Sequence, residues 1–132
     1  MIGSASPGVD AVAILAAAGL GLVAVFQLSL ALGAPFGRAS WGGTHDGVLP
    51  ANLRIASAAA VVLWSLAALV ILSRGGLGPW VGEWTRWVTW ALAAVLVVGA
   101  LMNAVSRSRW ERFGWAPFTL VIGVLCAVVA RG

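Results

Sequence analysis

Charge is absent from four long apolar runs of this chain, and this absence constrains the fold more than any other feature. The runs lie near residues 11–33, 55–73, 88–105 and 116–130, and none of them contains Asp, Glu, Lys, Arg or His. A bilayer core of about 30 Å is crossed by about 20 helical residues. Because the runs are uniformly apolar and lack strand-like alternation, they predict membrane-spanning helices and not a β-barrel.

Together with its flanking residues, each run predicts one helix of a single domain, an all-α antiparallel bundle of four transmembrane helices. The predicted spans lie near residues 11–33, 50–73, 80–105 and 115–130. Asp10 is expected to cap the first helix, Pro50 suits the first turn of the second, and the third is expected to begin near Pro79. The fourth run is short, so we expect its helix to extend back through Trp115 toward Phe113.

Composition agrees with a membrane location. The chain is 61% apolar and 9% charged, whereas a soluble domain is about 25% charged. Residues 1–10 contain no Lys or Arg, so we expect the first run to be a retained span and not a signal peptide. The net charge of +4 comes from arginines that flank the spans, which favours contact with lipid headgroups over nucleic acid.

The distribution of these arginines predicts an orientation. The first and third connections share one side of the bundle and carry five of them: Arg38, Arg54, Arg107, Arg109 and Arg112. The opposite side carries three: Arg74, Arg86 and Arg131. Because cytoplasmic connections are enriched in basic residues, both termini are predicted to lie outside.

Four tryptophans cluster at the start of the third span: Trp80, Trp84, Trp87 and Trp90. Tryptophan is enriched where helices cross the membrane surface, so the cluster predicts an interfacial aromatic belt. A cage for a quaternary ammonium headgroup is the alternative.

Small residues predict where the helices approach one another, because lipid gives separated helices no hydrophobic reason to associate. The candidates are Ala16, Gly19, Ala58, Ala93, Gly99, Gly123 and Ala127. Gln27 and Ser29 are expected to hydrogen-bond to a neighbouring helix, since an unpaired amide is costly in hydrocarbon. Small-residue faces left over would serve a homodimer or a larger membrane complex.

Familiar catalytic and cofactor patterns are missing from the sequence. The single His45 and single Cys126 do not make a zinc site of the usual ligand set, and they exclude haem held by two histidines of one chain. The spans contain no carboxylates for proton-coupled transport, and no glycine-rich phosphate loop is present. The sequence therefore predicts no catalytic residue, no metal and no cofactor.

The remaining candidates are polar residues of the first and third connections, which we call the candidate polar cap: Trp41, His45, Asp46, Asn52, Arg54, Asn103, Arg107, Glu111 and Arg112. Asp46 would orient His45 as a base, and Arg54 with Arg107 or Arg112 would grip an anion. Alternatively these residues pair with one another and tie the connections together, with Arg54 bound to Asp46 or Glu111. Ser108 and Glu111 have the spacing of a helix capping box.

The same connections carry a resemblance to a known group of proteins. Its elements are Trp41-Gly42-Gly43-Thr44-His45, Leu49-Pro50-x-x-Leu53-Arg54, Asn103-x-x-Ser106-Arg107-Ser108, and Glu111-Arg112 with Pro117. From Leu32 onward the chain resembles small bacterial four-helix integral membrane proteins of uncharacterised function. The resemblance implies a bacterial cytoplasmic membrane and brings no activity, substrate or cofactor.

Two functions follow from these observations. The first is a non-enzymatic membrane protein, an accessory, scaffolding or lipid-interacting subunit. The second is a binder or transporter of a small or amphipathic ligand, entered from the candidate polar cap. A closed bundle with mutually paired polar groups would favour the first, and an open cavity with unpaired polar groups would favour the second.

Overall fold

Four helices account for most of the chain in the computed structural model, which describes residues 8–132. They are α1 (Val9–Ala31), α2 (Ala51–Arg74), α3 (Glu83–Ala104) and α4 (Ala116–Arg131). A π-helical segment, Glu111–Trp115, runs directly into α4, so the fourth apolar span covers Glu111–Arg131. All four spans are long and apolar enough to cross a membrane, which confirms the predicted all-α fold. Residues 1–7, in front of the first span, lie outside the described part.

The helices pack in antiparallel neighbours around one core. Contact is most extensive between α1 and α2 and between α3 and α4, and α1 also packs on α4. The core is built from buried side chains of all four helices, among them Ala13, Leu20, Ile71, Leu96, Ile122 and Cys126. By contrast, α2 contacts α3 much less than it contacts α1. The bundle is therefore tightest within the two helix pairs, and of the helices that follow one another in the chain, α2 and α3 have the least contact.

Small residues bring α4 close to its neighbours, as predicted for Gly19 and Gly123. A Cβ atom added at Gly123 would lie 3.4 Å from the carbonyl oxygen of Ala93 on α3. One added at Gly19 would lie 2.9 Å from Ile122 on α4. The prediction is wrong for Gly99, where an added Cβ would have no neighbouring atom within 4 Å.

Helix ends differ from the sequence prediction by a few residues, each for a local reason. Helix α1 stops at Ala31 because Gly33 adopts a left-handed φ of +99°, and the Ala34 N–H then donates to the Ser29 carbonyl over 2.9 Å. Helix α3 begins at Glu83 and not near Pro79, because the preceding Gly82 has φ +115°. Asp10 lies within the first turn of α1 and does not cap it.

Pro117 explains the π-helical start of the fourth span. Proline has no N–H, so it cannot donate to the carbonyl four residues earlier, and its ring clashes with that carbonyl. The carbonyl in question belongs to Phe113, inside the π-helical segment. The wider turn relieves this conflict while the helix continues, so the predicted extension through Trp115 is confirmed and reaches Glu111.

Candidate binding site

The first connection (residues 32–50) and the third connection (residues 105–110) meet at one end of the bundle, which we call the cap end. The Gly42 N–H donates to Oε2 of Glu111 over 3.3 Å, and the Ser108 hydroxyl donates to the Arg38 carbonyl over 2.5 Å. A Cβ added at Gly43 would lie 2.8 Å from the Cβ of Ser108, so the two connections touch there. These contacts link parts of the chain about 70 residues apart.

A left-handed turn in the first connection presents Trp41. Trp41, Gly42 and Gly43 have φ values of +48°, +79° and +72°. This region of conformational space is open to glycine but costly for a bulky residue, so Trp41 is held in a strained backbone conformation. Its indole Nε1–H donates to the hydroxyl oxygen of Ser57 on α2 over 3.0 Å, which fixes the ring against the bundle.

Glu111 is the central polar group of the cap end. The residue is 8% exposed, and its carboxylate accepts hydrogen bonds from the Ser106 hydroxyl and the Gly42 N–H. Its own N–H donates to the Ser108 hydroxyl over 3.3 Å, which is half of the predicted capping box. Across residues 8–132, the ion pair within 4.0 Å is Arg86 with Glu83, so the Glu111 carboxylate has no cationic partner there.

A cavity of about 660 Å³ extends from the cap end into the bundle. Its lining on α3 runs from Asn103 to Val95, which is about 12 Å along a helix that rises about 1.5 Å per residue. The outer part is lined by polar groups of both connections, and the inner part by apolar and aromatic side chains. The lining comprises Val23, Phe26, Gln27, Ala39, Ser40, Trp41, Gly42, Thr44, Trp64, Val95, Leu96, Gly99, Met102, Asn103, Ser106, Arg107, Glu111, Trp115 and Thr119.

Helices α2 and α3 contribute unequally to the cavity lining. Helix α2 contributes only Trp64 to the lining, in keeping with its small contact with α3. On α3, the lining residues Val95 and Met102 are also 55% and 67% exposed at the bundle surface. Part of the lining on α3 is therefore accessible from outside the protein.

Gln27 lines this cavity, and its side chain carries an unpaired acceptor. Its Oε1 atom is buried and accepts no hydrogen bond from the described part of the chain. The sequence predicted a bond to a neighbouring helix for Gln27 and Ser29, and this is wrong for the Gln27 Oε1 and for the hydroxyl of Ser29. The latter donates to the Phe26 carbonyl of its own helix over 2.6 Å.

Four residues of the candidate polar cap line the cavity together: Trp41, Asn103, Arg107 and Glu111. Four others lie on the exposed surface outside its lining: His45, Asp46, Asn52 and Arg112. His45 Nδ1 is 3.0 Å from the Thr44 hydroxyl, and Arg112 donates from Nε and Nη2 to the Ser106 carbonyl. The structure thus divides the predicted set into a lining group and a surface group.

The predicted ion pair of Arg54 with Asp46 or Glu111 is wrong. Arg54 instead donates from Nε to the Ala31 carbonyl over 3.1 Å, and its guanidinium packs on Gly33. The last four carbonyls of a helix lack helical partners, and the C-terminal end of the helix dipole attracts a cation. Arg54 therefore caps α1 and takes no part in the cavity.

The tryptophan cluster lies at the opposite end of the bundle. Trp80 belongs to the second connection (residues 75–82), and Trp84, Trp87 and Trp90 follow on α3 with exposed rings. The ring centroids of Trp80 and Trp84 are 5.8 Å apart, and Arg86 lies 5.7 Å above the ring of Trp87. Outward-facing rings with a neighbouring arginine are typical of an interfacial belt, which stays a prediction.

Several lining residues were not singled out as site residues from the sequence. Gln27 was expected only to hydrogen-bond to a neighbouring helix, and Trp115 was expected only to extend the fourth helix. The spacing of Glu111 and Trp115, about one helical turn, was the available signal for Trp115. Trp64 carries no such signal, because only the packing of α2 brings it to the cavity.

Residues 8–132 contain no group of three or more His, Cys, Asp or Glu side chains that could hold a metal ion. The chain has no match among known family models, curated proteins or solved structures. The function must therefore be inferred from the cavity itself.

Proposed function

We propose that this protein binds an amphipathic small molecule or lipid within the membrane, in the cavity between α2 and α3, without catalysing a reaction. The observation that carries the proposal is the cavity itself, with a polar outer part and an apolar inner part. Ligand pockets have volumes of about 300–1,000 Å³, are mostly apolar, and carry a few polar groups that orient the ligand. A cavity of about 660 Å³ fits this range.

The exposure of two apolar lining residues on α3, Val95 and Met102, supports an amphipathic ligand. An apolar chain can enter between α2 and α3 beside Val95 and Met102 while its polar headgroup reaches Asn103 and Glu111. Such a ligand keeps its chain in an apolar environment throughout and does not need to cross water. The aromatic residues Phe26, Trp41 and Trp115 supply rigid walls for the chain and headgroup.

A purely structural cap end is the second candidate, and one observation favours it. The bonds that join Gly42, Glu111 and Ser106 tie the two connections together, as an accessory or scaffolding subunit would need. This network does not account for the unpaired Gln27 acceptor or for a cavity that penetrates the bundle. Binding therefore explains more of the structure.

The cellular setting is part of the same proposal. Five arginines lie at the cap end, and the sequence resemblance points to a bacterial cytoplasmic membrane. Basic connections face the cytoplasm in such membranes, so the cap end is cytoplasmic and both termini are outside. The exposed apolar faces contact the lipid bilayer and leave room for a second copy or a larger membrane complex.

Native mass spectrometry of the full chain tests the binding proposal. The protein is placed in nanodiscs of phosphatidylethanolamine and phosphatidylglycerol, and retained lipid is counted after release. Gly99→Phe fills the cavity, because a side chain at Gly99 meets open space within the lining. Gly21→Phe is the matched control, since Gly21 is also an open helical position but lies outside the lining.

We expect the parent protein and Gly21→Phe to retain a lipid that resists collisional removal. Gly99→Phe should retain it at least about tenfold less, a factor that corresponds to about 1.4 kcal/mol of lost affinity. Equal retention by the three proteins would contradict the proposal and favour the structural cap end.

A further inference from the structure

We propose that the cavity selects a protonated amine on its amphipathic ligand, with Glu111 as the residue that recognises it. The inference rests on the proposed binding function and names the chemistry of the headgroup. It starts from a charge imbalance at the cap end, where a buried carboxylate lines a cavity without an ion-pair partner in the described structure.

Burial makes that imbalance costly. A carboxylate that loses water is stable only when hydrogen bonds and an opposite charge replace it. Glu111 has two donors, the Ser106 hydroxyl and the Gly42 N–H, and both are neutral. A ligand cation entering the cavity would supply the missing charge.

The arginines of the cap end do not supply the positive charge that the Glu111 carboxylate lacks. Arg54 is bound to the Ala31 carbonyl, Arg112 to the Ser106 carbonyl, and Arg38 lies 5.7 Å above the ring of Trp110. Arg109 is exposed, and Arg107 lines the cavity but lies at its exposed outer part, beyond 4.0 Å from any carboxylate of the described residues. Because Arg107 is exposed, water and salt weaken its repulsion of a cation more than they would weaken that of a buried charge.

The free acceptors favour a cation that carries N–H groups. A carboxylate offers about four lone-pair sites, and two hydrogen bonds to Glu111 are present. Gln27 belongs to the same lining and carries a second buried acceptor, Oε1, which has no donor from residues 8–132 and which a ligand reaches when the side chain turns toward the cavity. A primary ammonium has three N–H donors for such acceptors, whereas a quaternary ammonium has none.

Aromatic rings of the same lining add to the attraction for a cation, whether or not it carries N–H groups. Trp41 precedes the Gly42 N–H that binds the carboxylate, and Trp115 lies about one helical turn beyond Glu111. The ring of Trp115 packs on Phe26 with centroids 4.8 Å apart, so it forms a fixed wall of the cavity. Aromatic faces attract cations, and the attraction is stronger where water is excluded.

The test uses four probes of equal chain length: decylammonium, decyltrimethylammonium, 1-decanol and decanoate. Each is titrated into the full chain in neutral maltoside micelles, and the dissociation constant is taken from tryptophan fluorescence. The variant is Glu111→Gln. Asp46→Asn is the matched control, because it also removes one negative charge from the cap end but at an exposed site outside the lining.

We expect decylammonium to bind the parent protein most tightly. Its preference over 1-decanol should fall roughly ten- to a hundredfold in Glu111→Gln, as expected for losing a hydrogen bond to a charged group. Asp46→Asn should keep the parental preference. The ratio of the two dissociation constants is compared between the parent protein and each variant. Because the micelles are the same, differences in probe partitioning and in the folded fraction cancel from this comparison.

Any one of three results would contradict amine recognition by Glu111 and leave the binding function intact. These are an unchanged preference for decylammonium over 1-decanol in Glu111→Gln, tighter binding of decyltrimethylammonium than of decylammonium, and tightest binding of decanoate that is lost in Arg107→Gln. If none of the four probes binds the parent protein, the binding function fails as well.

A second arm identifies the source of the amine. Nanodiscs with equal amounts of phosphatidylethanolamine and phosphatidylcholine offer the protein a primary and a quaternary ammonium on otherwise similar lipids. Preferential retention of phosphatidylethanolamine, reduced in Glu111→Gln, identifies a lipid headgroup as the ligand. Binding of decylammonium without that preference identifies a free amphipathic amine. Either result supports recognition of an amine by Glu111.

Discussion

The two ends of this bundle are built in opposite ways. At the cap end, two connections cross the helix ends and line the outer part of a cavity that contains a buried carboxylate. At the other end, the short second connection packs directly on the helices. A Cβ added at Gly75 would lie 2.5 Å from the Cβ of Ala13, and the Trp80 N–H donates to the buried Ser73 hydroxyl over 3.1 Å. One end is open and the other is closed.

The second connection packs on the helices at the closed end, whereas the cap end holds the cavity, to whose lining α2 contributes only Trp64. Arg74 adds to the closure by donating from Nη2 to the Ala130 carbonyl over 3.2 Å, which joins α2 to the end of α4. With one end fixed, a cavity at the other can open to lipid without loss of the fold. The contrast thus assigns stability to one end and binding to the other.

The largest expected effect comes from adding volume at each end. Gly75→Leu should lower stability by about 1–3 kcal/mol, because the new side chain overlaps the buried Ala13. Gly99→Leu should leave stability unchanged or raise it by up to about 1 kcal/mol, since leucine favours a helix and meets open space. The midpoints of thermal unfolding in one detergent check this, and equal losses at both positions would show that the cap end is closed too.

The next largest effect is expected from replacing two buried serines, each of which accepts a hydrogen bond from an N–H group of a tryptophan. Ser73→Ala leaves the backbone N–H of Trp80 without its acceptor at the closed end and should cost about 1–3 kcal/mol. Ser57→Ala frees the indole N–H of Trp41, whose side chain is 41% exposed, and should cost about 0.5–1 kcal/mol.

Denaturant or thermal unfolding of the two serine variants ranks these costs. A larger loss for Ser57→Ala would mean that the cap end contributes more to stability than the closed end. That result would contradict the assignment of stability to the closed end.

The smallest effect is expected from removing the buried charge of Glu111 in the absence of ligand. Glu111→Gln removes an uncompensated carboxylate and keeps an acceptor for the Ser106 hydroxyl, but its NH2 group no longer accepts from the Gly42 N–H. The two effects oppose each other, so stability should change by less than about 1 kcal/mol in the absence of amphipathic amines. Asp46→Asn, at an exposed site, should change it by less than about 0.5 kcal/mol. Thermal unfolding in neutral detergent measures both, and a clear loss of stability in Glu111→Gln would indicate a structural role for the carboxylate.

Much of this fold was predictable because helices that cross a bilayer need long uncharged segments and consecutive spans run in opposite directions. Long uncharged runs predicted the four helices, and antiparallel order placed the first and third connections at one end. The same order brought Trp41, Asn103 and Glu111 to one cavity.

The partners of individual side chains were less predictable. Charge alone suggested a carboxylate for Arg54, but the free carbonyl of Ala31 at the end of α1 is its acceptor. Gly99 and Gly123 are both small residues within apolar helices, yet only Gly123 touches a neighbouring helix closely. The difference lies in the separation of α2 from α3, which no local pattern encodes, and Trp64 joins the cavity for the same reason.

The most direct measurement of the central claim locates the bound ligand. A decylamine carrying a photoreactive diazirine at the end of its chain is irradiated with the full protein in neutral phosphatidylcholine nanodiscs, and labelled peptides are mapped by mass spectrometry. We predict that adducts concentrate on the cavity lining, on Val23–Gln27 and Val95–Asn103, and that unlabelled decylamine suppresses them. Adducts spread over the lipid-exposed face of α2 at Leu63 and Leu66, with no competition by unlabelled decylamine, would contradict a binding site between α2 and α3.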